Sequence, residues 1–249
     1  MTDCRGELFR AYATMVTAGS PGCADPAAAA RQFKGRWMRH LPKDRGATIL
    51  DLGCGSGEWL WCLQSLGYKR TYGVDLCQES LRAARALGIR NIACANAVEF
   101  LEGRCEQFDL ITAFNFCEHL PKSELVKLLS CAFSALKAGG LFLAVTPNGL
   151  SPFAGATRYW DITHELAFTP ASWRQLARLT GFAGADFEEY GPIAHSIRGV
   201  IRCALWKLVK LVFDVVSYIE VARPRDQSRV YTADMKILLR KAGAVRQHK

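Results

Sequence analysis

The sequence contains no uncharged apolar run of the roughly 18 residues that a membrane-spanning helix needs. Its amino terminus, MTDCRGELFRAYATMV, carries an acid and lacks the basic-then-apolar pattern of a secretory signal. No C-x-x-C pair occurs among the ten cysteines, so we expect no metal site of that kind. Most cysteines stand in apolar runs, as Cys54, Cys62, Cys94, Cys117 and Cys131 do. These features predict a cytoplasmic protein with buried free thiols.

Acidic residues are too few to balance the basic ones. The chain carries 32 Lys and Arg against 23 Asp and Glu, a net charge of +9. Such a charge suits an anionic partner, whether nucleic acid, a membrane surface or a phosphorylated compound. The basic residues are scattered and no known nucleic-acid-binding module is present, so we expect no nucleic-acid partner.

Short apolar runs alternate with helical patterns over much of the chain. Predicted strands cover residues 47–52, 71–74, 91–95, 108–114 and 140–145, and predicted helices cover 58–66, 79–87 and 123–136. A long loop over 148–170, a helix over 172–179 and strands over 185–190 and 230–239 follow. This order predicts an α/β fold: a Rossmann-like open sheet of about seven mostly parallel strands with helices on both faces.

We predict one domain over residues 1–249. Residues 1–45 form an N-terminal helical cap, residues 46–147 form a ligand-binding core, and residues 148–249 hold the long loop, a helical insertion and the last strands. The length of the loop indicates a functional segment, because unstructured loops of that length are uncommon in compact domains.

A glycine-rich turn directly follows the first predicted strand. It reads Asp51-Leu52-Gly53-Cys54-Gly55-Ser56-Gly57-Glu58. Glycines allow a positive φ and let the backbone approach a ligand closely. Asp75 ends the second strand, 22 residues after Gly53, at the position of a ribose-binding carboxylate in a nucleotide-binding unit. The turn and the acid together predict a site for a nucleoside.

A nicotinamide dinucleotide is the first alternative ligand, because its sites also combine a glycine turn with an acid. Its G-x-G-x-x-G pattern places a pyrophosphate at a helix N-terminus. Here the third glycine, Gly57, comes one residue early, and the next residue is Glu58. A carboxylate there repels pyrophosphate but tolerates an ammonium group, which favours S-adenosyl-L-methionine.

These residues resemble the class I S-adenosylmethionine-dependent methyltransferases over about residues 46–190. The resemblance implies that Asp51, Gly53, Cys54, Gly55 and Gly57 surround the methionine part of the cofactor. It implies that Asp75 holds the ribose and Leu76 follows it in the site. Asn96-Ala97 takes the place of an Asp-Ala pair that receives the adenine amine, and Phe114 and Asn115 line the cofactor.

On the acceptor side, His164 is the first candidate for a general base. It lies in Arg158-Tyr159-Trp160-Asp161-Ile162-Thr163-His164-Glu165, beyond the fifth strand, where ligands dock in open α/β sheets. The segment resembles an acceptor-side motif of methyltransferases of polysaccharide and sugar biosynthesis. That resemblance implies His164 as the base, oriented by Asp161 or Glu165. The alternative is a structural role near the next helix.

His119 is the second candidate. Glu118-His119 resembles part of the E-x-x-E-H stretch of the ubiquinone-pathway O-methyltransferases, where these side chains are associated with a metal. Asn115 replaces the first acid, so we expect no required metal. His119 then acts as a base or acceptor contact, or only begins a helix.

Residues 196–221 form a basic amphipathic segment. At about 100° per residue, Lys207, Lys210, Asp214 and Ser217 fall within an arc of roughly 80°, with apolar residues opposite. Such a helix lies in a membrane interface, covers an active site or buries a homodimer face. Membrane contact implies a peripheral location on the inner face of the membrane.

These observations lead to one main hypothesis and two alternatives. The main one is O-methylation of a sugar or glycan hydroxyl, with lipid-linked acceptors included, by a His general base. The first alternative keeps the cofactor and takes a small aromatic or quinone-like acceptor, for which His119 matters more. The second is a nucleic-acid- or membrane-binding protein with a non-catalytic cofactor site.

Overall fold

In the computed structural model, residues 33–222 and 228–243 are described, together with Leu8. Most of the predicted cap over residues 1–45 lies outside the described residues. Within it, residues 33–37 are helical and Met38–His40 form a 3-10 helix.

The described residues form one sheet of seven strands in the order β3-β2-β1-β4-β5-β7-β6. The strands are β1 (Thr48–Leu52), β2 (Arg70–Asp75), β3 (Ile92–Cys94), β4 (Phe108–Phe114), β5 (Leu136–Pro147), β6 (Gly184–Glu189) and β7 (Asp234–Arg240). The pairs among β1 to β5 are parallel, and β7 is antiparallel to both β5 and β6. The predicted fold class is confirmed.

Helices connect the strands and cover the sheet. They are α1 (Glu58–Ser65), α2 (Gln78–Ala86), α3 (Ala97–Leu101), α4 (Lys122–Ala135), α5 (Ala154–Arg158), α6 (Pro170–Leu179) and α7 (Ile197–Val221), with a 3-10 helix at Cys117–His119. Alternate side chains of a strand point to opposite faces, so Leu50 and Leu52 join one buried cluster and Ile49 joins the other. The sheet therefore has a hydrophobic core on each face.

The prediction and the structure differ at several elements, among them β5, which begins at Leu136, and α5, which lies within the predicted loop. The last strand begins at Asp234, four residues later than expected, because Tyr231 is held by a hydrogen bond to Asp214 of α7 and not by the sheet. The short helix α3 was not predicted, because five residues show no clear periodicity; its N-cap is Asn96. Cys94 is exposed because it lies on the edge strand β3, whereas Cys54, Cys62 and Cys117 are buried as predicted.

The carboxyl ends of the strands define the functional edge of the sheet. Pro147 at the end of β5 pairs with Asp234 at the beginning of β7, and Glu189 at the end of β6 pairs with Met235. The loop after β5 and the helix α7 therefore both leave from the edge where the glycine turn follows β1. No helix in the described ranges is long and apolar enough to cross a membrane.

Candidate functional site

The glycine turn adopts the backbone conformation that its sequence predicts. Gly53, Gly55 and Gly57 have φ values of 67°, 49° and 79°. The amides of Gly53 and Cys54 both donate to the Val74 carbonyl, at 2.8 and 3.1 Å, which ties the turn to β2. A Cβ on Gly53 would lie 2.6 Å from the ring of Phe116, so the position also requires glycine for space.

Asp75 connects the end of β2 to this turn. Its carboxylate accepts from the Gly55 amide at 2.8 Å and from the Cys77 amide at 2.7 Å. Burial raises the pKa of Asp75, and the backbone amides that donate to it oppose that rise. The predicted ribose-binding acid is therefore placed and oriented beside the glycine turn.

Asp51 lies under the turn, almost fully buried. It accepts a hydrogen bond of 2.7 Å from the Thr112 hydroxyl, which in turn accepts one of 3.2 Å from Trp59 Nε1. Burial raises the pKa of Asp51 to about 7, the Thr112 hydrogen bond lowers it, and Asp75 raises it further. Since a buried carboxylate is stabilised by an opposite charge, this position favours a cationic group in the cleft above it.

A cleft of about 290 Å³ opens above the turn. Six of the residues predicted for the cofactor line it: Asp51, Gly53, Cys54, Gly55, Phe114 and Asn115. Its other lining residues are Phe33, Ser56, Glu58, Trp59, Val145 and Tyr190. Phe33 and Tyr190 carried no motif in the sequence; the fold brings both beside the ends of β1 and β4.

The remaining predicted cofactor residues lie outside that cleft. Gly57 serves packing, because a Cβ there would lie 2.9 Å from Ala84. Leu76 is exposed beside Asp75, and Ala97 is buried at the beginning of α3. The side-chain oxygen Oδ1 of Asn96 accepts from the backbone amides of Val98 and Glu99. The structure thus gives Asn96 a capping role, and its contact with adenine stays a prediction.

Asn115 joins the cleft to the acceptor side. It has a φ of 49°, a left-handed conformation that Asn tolerates better than most residues. Its backbone amide donates to the Val145 carbonyl at 3.0 Å. A hydrogen bond between the Asn115 backbone and the ring of His119 contributes to the pKa of that histidine. His119, one of the two predicted base candidates, is therefore hydrogen-bonded to a residue that lines the cleft.

His164 lies against His119, with ring centroids 4.9 Å apart. Its Nδ1 is 3.2 Å from the Thr157 carbonyl and 3.3 Å from the Arg158 carbonyl. Carbonyl oxygens only accept, so Nδ1 carries a hydrogen, and in the neutral ring Nε2 is the nitrogen that can accept one. The groups that orient His164 are these carbonyls, in place of the carboxylates of Asp161 or Glu165 that the sequence suggested.

Asp161 orients the other histidine. Its carboxylate accepts from the Thr163 hydroxyl at 2.7 Å, and the same hydroxyl lies 2.8 Å from His119 Nδ1. Because the hydroxyl hydrogen goes to Asp161, its oxygen accepts from His119 Nδ1–H. Burial lowers the pKa of His119 to about 4, and the nearby His164 lowers it further. His119 is therefore neutral at physiological pH.

Glu118 completes this cluster. Burial raises its pKa to about 8, and Asp234 and Asp161 push it the same way, so the side chain is mostly protonated at neutral pH. Among the residues that the structure describes, its Oε2 is buried without a hydrogen-bond partner. Single side-chain atoms of Glu118, His119 and His164 all lie within 4.8 Å of one another, a spacing that a metal ion accepts. The sequence indicated all three residues but did not predict that they lie together, because His164 follows His119 by 45 residues.

Asp234 also lies beside Glu118 and His164, and no sequence motif indicated it. Burial raises its pKa, and a positive charge on His164 opposes that rise. The carboxylate thus stands where it stabilises an imidazolium at His164. The arrangement as a whole places an imidazole nitrogen of His164 that can accept a proton near a cleft whose buried Asp51 favours a cation.

Comparison with known proteins identifies the family of this chain. Residues 27–185 match the methyltransferase domain family. The ubiquinone biosynthesis O-methyltransferase of a Methylobacterium strain is 32% identical over 107 residues, which cover 41% of this chain and 42% of that protein. The chain thus spans less than half the length of this curated relative.

Solved structures share the fold. A SAM-dependent methyltransferase from Archaeoglobus fulgidus superposes with a TM-score of 0.64 at 22% identity, covering 92% of this chain and 99% of that one. An S-adenosylmethionine-dependent methyltransferase from Mesorhizobium loti gives a TM-score of 0.59 at 20% identity, covering 87% and 100%.

Proposed function

This chain belongs to the methyltransferase domain family, and from that premise we propose that it is a class I S-adenosylmethionine-dependent enzyme that methylates a hydroxyl oxygen with His164 as the general base. The methyl donor supplies a methyl group on a sulfonium centre. Asp51, the glycine turn, Phe114 and Asn115 would hold its methionine part, and Asp75 its ribose.

The observation that carries the proposal is the tautomer of His164. Two backbone carbonyls hold a hydrogen on Nδ1, so in the neutral ring Nε2 is the nitrogen that accepts a proton. The side chain is half-buried, which leaves it accessible to an acceptor. A hydroxyl needs such a base, because its oxygen must lose a proton as it attacks the methyl carbon.

The proposed step conserves atoms and charge. The acceptor oxygen forms a bond to the methyl carbon in line with the bond to sulfur that breaks, and its proton passes to His164 Nε2. The products are a methyl ether, S-adenosylhomocysteine and an imidazolium, which Asp234 stabilises and from which solvent removes the proton. His119, neutral because of its low pKa, adds no positive charge beside the cationic donor.

For the acceptor we propose a phenol or quinol hydroxyl. The curated relatives named as ubiquinone biosynthesis O-methyltransferases support this class, at low identity and over part of their length. A sugar or glycan hydroxyl is the second class, and the resemblance of residues 158–169 to the acceptor-side segment of polysaccharide methyltransferases favours it.

Transfer of a labelled methyl group to catechols, quinols, monosaccharides and amines tests the proposal. We expect a hydroxyl acceptor, and we expect His164→Ala to lower turnover by about 10²–10⁴-fold near neutral pH while binding of S-adenosylhomocysteine stays unchanged. His195→Gln, which changes an exposed histidine outside the cluster, is the matched control and should keep full activity. Unchanged turnover in His164→Ala, or methylation of amines alone, would refute the assignment.

A further inference from the structure

The helix α7 packs against the protein with its polar side. Trp206 Nε1 donates to Glu189 at 3.1 Å, and Lys210 forms a 3.2 Å ion pair with the same carboxylate. Asp214 accepts from the Tyr231 hydroxyl at 2.8 Å, and Ser217 is buried. A surface helix normally buries its apolar side, so this orientation is reversed.

The apolar side of α7 consequently faces solvent along the whole helix. Its 25 residues correspond to about 37 Å. The apolar side chains that are half or more exposed are Ile197, Val200, Ile201, Leu205, Leu208, Leu211, Val212, Val215, Val216, Tyr218 and Ile219. A contiguous apolar stripe of this length on a protein surface marks an interaction site.

Basic groups border this stripe. Arg198 and Arg202 are exposed along one side, and Lys207 is exposed along the other. Lys207 also lines a cleft of about 340 Å³ between α7 and residues 35–39, to which Arg36, Arg39, Lys210 and Lys236 contribute. Glu189 is the acid that lines it. The positive surface beside the stripe suits anionic head groups, in line with the net charge of +9.

A second exposed apolar group lies at the same edge of the sheet. Tyr159, Trp160 and Ile162, in the loop after β5, are 80%, 71% and 87% exposed. Tyr and Trp are enriched where a protein meets the head-group region of a membrane. The stripe and the loop both rise from the carboxyl ends of the strands, as the pairing of β5, β6 and β7 shows.

From these observations we infer that α7 lies in the surface of an anionic lipid bilayer, with its apolar stripe among the acyl chains and its basic borders at the phosphates. The loop of Tyr159 and Trp160 meets the same surface, so the active-site edge faces the membrane. The inference rests on the stripe and its charges, and it does not depend on which acceptor is methylated.

Sedimentation with vesicles of phosphatidylcholine, with and without phosphatidylglycerol, tests the inference. We expect the protein to bind the anionic vesicles, and to bind them less as salt rises because screening weakens the attraction. Leu208→Gln should weaken binding by about tenfold, since one leucine leaves the acyl region. Leu179→Gln changes a leucine of similar exposure at the opposite edge of the sheet and should bind as the wild type does.

Charge is tested separately. Arg202→Gln combined with Lys207→Gln should weaken binding to anionic vesicles, whereas Arg178→Gln, on α6, should not. Circular dichroism confirms that each variant is folded, which we expect because every changed side chain is exposed.

Three results overturn the inference. The first is wild-type protein that binds no vesicles at low salt. The second is equal binding with and without phosphatidylglycerol. The third is a dimer, seen by light scattering, that Leu208→Gln converts to a monomer while vesicle binding is unaffected, because the stripe would then be an interface between two copies.

Discussion

The pKa of Asp51 predicts that cofactor affinity depends on pH near neutrality. The carboxyl group has a pKa of about 7 because it is buried, and the ammonium group of the methionine part prefers a carboxylate beside it. At pH values below 7 the group is protonated and must lose its proton before it can pair. The affinity for S-adenosylhomocysteine, which keeps the ammonium group, should therefore fall as pH falls through 7.

The size of the effect follows from the ionised fraction. An acid with a pKa of about 7 is about 9% ionised at about pH 6 and about 76% ionised at about pH 7.5. The dissociation constant should therefore fall about eightfold over this range, which corresponds to about 1.2 kcal/mol. Higher pH is avoided because α-amino groups begin to lose their own proton there.

Isothermal titration calorimetry at both pH values measures this change. In two buffers of different ionisation enthalpy, it also counts the protons released, which should be close to one per ligand at the lower pH. Asp51→Asn is the control: its amide oxygen still accepts from Thr112 but cannot ionise, so binding should be weaker and nearly independent of pH. A variant that keeps the wild-type pH dependence, or a wild type without one, would falsify the role of Asp51.

Two further predictions follow from the same site. Gly53→Ala should lower the free energy of unfolding by more than the roughly 1–2 kcal/mol that a left-handed alanine costs, because its Cβ also meets the ring of Phe116. Gly103→Ala, at a φ of 72° with open space around its Cβ, measures the backbone cost alone. Equal losses for the two variants in urea unfolding would contradict the contact with Phe116. A chelator should leave turnover unchanged, and added Zn²⁺ should inhibit because it would bind the Nε2 that His164 needs as a base. Loss of activity on chelation that a divalent metal restores would show instead that Glu118, His119 and His164 hold a metal needed for activity.

The parts of this molecule that local pattern determines were predictable. The strand over β1, the glycine turn and Asp75 follow one another within a single βαβ unit, so spacing alone placed them together. The family resemblance implied Asp51 and Asn115 as cofactor residues, and both line the cleft because the carboxyl ends of the parallel strands β1 and β4 lie side by side.

What the pattern could not supply was orientation and long-range partnership. Periodicity showed which residues of α7 share a face, but the docking of the polar face depends on Glu189 and Tyr231, which lie in other elements. Likewise the sequence suggested Asp161 as the partner of His164. In the fold, its carboxylate accepts from the Thr163 hydroxyl, and that hydroxyl contacts His119. Such choices depend on how distant segments pack, and no local signal encodes them.

One carbonyl group links the two halves of the site. The Glu118 backbone carbonyl accepts from the backbone amides of Glu165 and Leu166, at 2.8 and 3.0 Å. These bonds fix the loop of His164 to the segment after β4. That segment begins at Asn115, which lines the cofactor cleft. A ligand that moves this segment would therefore move the loop of His164 as well, and thermodynamic linkage would then require donor and acceptor to alter each other's affinity by the same factor.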